Sequence, residues 1–123
     1  FFKRKADQGH SSRKSWEYLS DIEGLDSIIE RSSNETVGIF KHSTRCSISS
    51  MAKSRIETNF SDQSPSLYLL DLITYRSVSN EIAERFGIRH ESPQIILIRN
   101  GKAVYNASHG RINMTDTLKF VNQ

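Results

Sequence analysis

Hydrophobic positions along this chain switch between a period of two and a period near 3.6, and the switches mark the elements. Trp16-Glu17-Tyr18-Leu19 alternates and predicts a short strand. Ile22, Leu25, Ile28 and Ile29 then recur at helical spacing, predicting a helix over 21–31. Ser20 stands three residues before Glu23, the spacing of a capping box. Thr36 to Phe40 is a compact apolar run and reads as a buried strand. Ile48, Met51, Ala52, Ile56 and Phe60 mark one face of a second helix, over 46–60. Leu67 to Leu72 is another buried strand, after a turn at Ser64-Pro65. Ser77 is placed to cap a third helix bearing Val78, Ile82, Ala83 and Phe86, which Gly87 ends. Ile95 to Ile98 predicts a strand, Asn100-Gly101 a type I′ hairpin turn, and Ala103 to Tyr105 the returning strand. Asn113 is placed to cap a last helix with Leu118 and Val121 on its inner face.

The order is thus β-α-β-α-β-α-β-β-α. Alternation predicts parallel strands with helices on both faces, and the hairpin adds an antiparallel edge. The fold class expected is a three-layer α/β/α sandwich around a mixed sheet of four to five strands. With 123 residues, 36% hydrophobic and 25% charged, the chain suits one domain with its own core. That domain is expected over 16–123, preceded by a flexible basic arm over 1–15.

Charge changes the picture only at the start. The formal charge is +3, yet Lys3, Arg4, Lys5, Arg13 and Lys14 face only Asp7 in the arm. The body is near neutral, which argues against a nucleic-acid partner. No apolar run approaches the ~20 residues that cross a bilayer. No membrane partner is therefore expected, and a cytoplasmic setting is.

A single cysteine excludes an intramolecular disulfide and any multi-cysteine metal site. Cys46 follows a buried strand and opens a helix, among Thr44, Arg45 and Ser47 rather than apolar neighbours. It should therefore sit at the mouth of the strand–helix loop, at the positive end of a helix. An ordinary thiol is only ~3% ionised at pH 7. A helix N-terminus contributes ~0.3–1 kcal/mol to an anion, which alone is too little. First-turn amides, the Ser49 hydroxyl and the charges of Lys41 and Arg45 are the candidates for the remainder. His42 stands four residues from the cysteine, and His90 reads as a solvated loop residue. Farther on, Pro93 precedes a strand whose start should lie beside the start of the second helix. A cis bond there would turn the Ser92 backbone toward Cys46. No metal cluster, Ser-His-Asp set or phosphate loop is visible.

The cysteine at a β-α junction, the proline before a later strand, and the closing hairpin and helix resemble the thioredoxin fold over about residues 16–123. Phe40 to Ser49, with Ser92-Pro93-Gln94 and Asn106-Ala107-Ser108-His109, is similar to the monothiol bacilliredoxin (YtxJ-like) family. That family commonly has proline after the active cysteine, where this chain has Ser47. The resemblance implies a thiol–disulfide oxidoreductase acting on mixed disulfides between proteins and a low-molecular-weight thiol, bacillithiol being the one expected. Cys46 would be the attacking thiolate. Lys41 would steer the anionic ligand, and Thr44 and Arg45 would hold the loop and attract carboxylates. Ser92, beside Pro93, would pair the ligand along its backbone, and Gly110 would let the chain approach it closely. No bound cofactor is implied. The partners would be S-thiolated proteins and the small thiol, acting on a monomer or weak dimer. With Ser49 one turn on, no resolving cysteine is present and the cycle is monothiol. Two alternatives stay open on the sequence: an iron–sulfur carrier like the monothiol glutaredoxins, and a non-enzymatic thioredoxin-fold interaction module.

Overall fold

A computed structural model describes residues 15–121. The arm expected over 1–15 lies, but for Ser15, outside the described residues. Five strands and four helices follow in the order β1 (Glu17–Leu19), α1 (Ile22–Arg31), β2 (Val37–His42), α2 (Ser47–Thr58), β3 (Ser66–Asp71), α3 (Arg76–Phe86), β4 (Gln94–Arg99), β5 (Lys102–Ser108), α4 (Met114–Leu118). A 3₁₀ turn at His109–Arg111 joins β5 to α4.

The sheet order is β1-β3-β2-β4-β5. β3 runs parallel to both β1 and β2, and β4 and β5 run antiparallel. The antiparallel part is thus larger than the alternation predicts. β4 follows a helix, yet it lies antiparallel to β2, with Lys41 opposite Gln94. This arrangement brings the start of β4 beside the end of β2, the end from which the cysteine loop leaves.

Period-two alternation sorts the sheet residues between two cores. Val37, Ile39, Leu70, Ile96 and Ile98 pack with Leu25, Ile28, Val78 and Ile82 of α1 and α3. Phe40, Leu67, Ile95 and Leu97 pack with Ala52 and Ile56 of α2 and Met114 of α4. All six residues of β2 are buried, as expected of a central strand covered on both faces. The crowding there requires Gly38. A Cβ at that position would overlap Leu67 Cδ2 and lie 2.9 Å from Leu97 Cδ2.

Local boundaries show which side chains do the capping. Asp21, not Ser20, caps α1, its carboxylate accepting from Gly24 N–H at 2.6 Å. α3 begins a residue before Ser77, and its N-cap Tyr75 gives no side-chain bond. The turn ahead of it is instead tied by Asp71, which accepts from the amides of Ile73 and Thr74. Gly87 ends α3 at φ 63, and Asn113 caps α4 by accepting from Asp116 N–H. Asn100 and Gly101 both take positive φ, as a type I′ turn demands.

Candidate active site

β2 runs two residues beyond its apolar core, through Lys41 and His42, so the connection to α2 is only residues 43–46. The loop folds back on itself: Cys46 N–H donates to Ser43 C=O at 3.2 Å. Cys46 is the N-cap residue of α2, with extended backbone, and its carbonyl accepts from Ser50 N–H as the first helical bond. The thiol is half-buried and free, and its side chain makes no capping bond. Thr44 and Arg45 beside it are exposed. The residue thus stands at the N-terminal end of α2, where the first backbone amides of a helix have no intrahelical partner.

Ser49 is fully buried, and its hydroxyl is already committed. It accepts from Ser43 N–H at 3.0 Å and lies 2.7 Å from His42 Nδ1. The assignment that satisfies all three groups has Oγ–H donating to Nδ1, with the imidazole hydrogen on Nε2. Ser49 therefore knots the loop between β2 and α2, and its hydroxyl is not free for the thiol, contrary to the expectation from sequence. Burial lowers the His42 pKa from its ordinary value, and Lys53 adds to this against the opposing pull of Asp71 and Glu57.

Lys41 departs furthest from expectation. It alternates with His42 and so points to the face of α1 and α3, away from α2. It is fully buried, its ammonium donating to Ser79 C=O at 3.1 Å and contacting His90 Nδ1 at 3.2 Å. Burial, with Arg76 nearby, lowers its pKa to about 8. A side chain so placed does not meet a ligand at the surface. His90 is likewise half-buried and bonded rather than solvated.

Ser92–Pro93 is a cis peptide bond, one residue beyond the Lys41–Gln94 pair. Pro93 C=O accepts from His109 N–H at 3.1 Å, and the buried Ser92 hydroxyl has no partner among the described residues. Gly110 is exposed, with open space where a Cβ would lie. The positive φ of that turn belongs to His109, at 57°. Nothing local therefore requires glycine at 110. Arg55 of α2 holds the turn by donating to the carbonyls of His109 and Ile112.

The outer face of α2 also differs from its prediction. Ala52 and Ile56 are buried with Ser49, but Ile48 and Met51 are 56% and 62% exposed beside the cysteine loop. On the other side of the loop a groove of about 440 Å³ is lined by Tyr18, His42, Thr44, Leu69, Asp71 and Tyr75, among others. Among the described residues no group of three or more His, Cys, Asp or Glu side chains could hold a metal, and no helix is long and apolar enough to cross a membrane.

One free thiol at the N-cap of a helix, with serine in place of a second cysteine one turn on, on a sheet of this order, defines a thioredoxin-fold protein of the monothiol oxidoreductase class. The chain belongs to the monothiol bacilliredoxin BrxC family, whose profile matches residues 17–117. It is also similar to a solved protein provisionally described as an oxidoreductase with a thioredoxin fold. That match has 32% identity and a TM-score of 0.76, over 84% of this chain and 90% of the other. Thioredoxins of Halobacterium salinarum NRC-1 (a single-site mutant) and Trypanosoma brucei brucei share the fold at lower identity. The first has 18% identity and TM-score 0.68 over 92% of this chain and 93% of its own. The second has 12% and 0.70, over 96% and 95%.

Proposed function

We propose that this protein removes a low-molecular-weight thiol, bacillithiol in the first instance, from capped protein thiols, with Cys46 as the nucleophile. The observation that carries the reading is a free, half-exposed thiol at the N-cap of α2 whose helix supplies serine, not cysteine, one turn on. The Cys46 thiolate attacks the small-thiol sulfur of the mixed disulfide. The protein thiolate leaves, and Cys46 becomes the new mixed disulfide. A second small-thiol anion then attacks that sulfur, releasing the symmetrical small-molecule disulfide and restoring the Cys46 thiolate. The cycle uses no bound cofactor, needs one chain, and suits the reducing interior of a cell.

Thr44 and Arg45, exposed beside the sulfur, are suited to the ligand's carboxylates. The Ser92 backbone lies in the loop that enters β4 next to the end of β2, a position from which it can pair an extended ligand. The test uses a client protein carrying a bacillithiol mixed disulfide. The wild type frees the client thiol and Cys46→Ser does not; equal release by both would overturn the reading.

A further inference from the structure

Lys41 and Gln94 stand opposite one another on β2 and β4, and both side chains are turned to the α3 face of the sheet. Both are buried, with Gln94 only 1% exposed. Each reaches the same short loop. Lys41 Nζ contacts His90 Nδ1 at 3.2 Å, and Gln94 Nε2 donates to Arg89 C=O at 3.1 Å. Lys41 is itself fixed to α3 through Ser79 C=O, and Ser79 Oγ lies 3.4 Å from the same His90 nitrogen. The far end of the loop is held from the 3₁₀ turn after β5, by His109 N–H on Pro93 C=O and by His109 Nδ1, 3.5 Å from Glu91.

We propose that Lys41 and Gln94 form a bracket behind the sheet that fixes the 89–93 loop, making Lys41 a positioning residue for disulfide exchange. It acts from the face opposite Cys46, through His90, on the segment that presents Ser92 and Pro93. A buried amine is a poor choice for stability alone, since a methionine of similar length fills the space without desolvating a charge. What the amine supplies is direction: a hydrogen bond that sets where His90, and hence Ser92, lies. Lys41 was expected to touch the ligand; here it sets the frame the ligand meets. The catalytic consequence rests on the exchange reaction proposed above. The bracket does not.

The experiment compares Lys41→Met, His90→Leu and His90→Gln in the full chain. Gln at 90 keeps an acceptor for the amine. Hydrogen exchange of the His109 amide, which bonds Pro93 C=O, reports the loop without requiring activity. It should quicken about fivefold in Lys41→Met and His90→Leu, as expected for one lost hydrogen bond, and stay near wild type in His90→Gln. The amides of Ser43 and Cys46 should not change. With a bacillithiol mixed disulfide as substrate, KM should rise in the first two variants while kcat and the alkylation rate of Cys46 hold. Unchanged His109 exchange in Lys41→Met, or equal quickening at Ser43 and Cys46, overturns the bracket. A wild type that leaves the mixed disulfide intact refutes the proposed function, while the exchange data still decide the bracket.

Discussion

Ser49→Ala removes the hydroxyl that joins the two sides of the cysteine loop. Two groups lose their partner: Ser43 N–H, half-buried at 3.0 Å, and His42 Nδ1, buried at 2.7 Å. Each orphaned buried polar group costs about 1–3 kcal/mol, with the half-exposed amide at the low end because water can reach it. Alanine returns roughly 0.5 kcal/mol through its helix propensity. The net loss should be about 2 kcal/mol, or roughly 10 °C in melting temperature for a domain this size. Urea denaturation of Ser49→Ala, His42→Ala and the double variant separates the pair from its surroundings. The cycle should give a coupling of about 1 kcal/mol between the two side chains. A single-variant loss below ~0.5 kcal/mol, or additive losses in the double variant, would refute the knot as the element that holds the loop.

Lys41 should leave a signature above neutral pH. Its folded pKa, about 8, lies below the ordinary lysine value. Between about pH 8 and the ordinary lysine value near 10, the unfolded chain binds more protons than the folded one at this position, so stability from Lys41 rises with pH across that window. Denaturation midpoints should show the rise in wild type and lack it in Lys41→Met. His42 and His90 have lowered pKa values, burial first among the causes. Their neutral forms belong to the fold, so stability falls as pH drops below about 6.5, the ordinary histidine value. The fall should shrink in His42→Gln, measured by urea denaturation on either side of that value. Gly38→Ala should destabilise by about 1–3 kcal/mol, since the new methyl meets Leu67 and Leu97 in a central strand. Thermal unfolding that matches wild type would show that those leucines yield freely.

The elements are legible because each carries its own local signal. The apolar runs at 36–40, 67–72 and 95–98 have no helical reading, and Asn100-Gly101 and Asn113 act as their chemistry predicts. The thioredoxin-like architecture follows from their order. Strand pairing does not, because local pattern carries no information on which strands meet, and alternation alone predicts β4 parallel. The same limit explains the site. Treating Lys41 and His42 as loop residues hides the alternation that sends one to each face; with β2 carried to His42, Lys41 joins Ile39 behind the sheet. On α2 the apolar spacing puts Ile48 and Met51 on one face with Ala52 and Ile56. Ala52 and Ile56 are buried as that spacing predicts, but Ser49 joins them in place of Ile48 and Met51, its hydroxyl satisfied inside by His42 and Ser43. Cys46 itself is legible from its polar neighbours.

Which sulfur Cys46 attacks is the point on which the account turns, and intact-mass analysis of a stoichiometric reaction resolves it. A client carrying a bacillithiol mixed disulfide is mixed with this protein without added small thiol, and both chains are weighed over time. The mass of the cap should appear on Cys46 as it leaves the client. A covalent complex of the two proteins as the accumulating product, or a client that loses its cap while Cys46 stays unmodified, would contradict it.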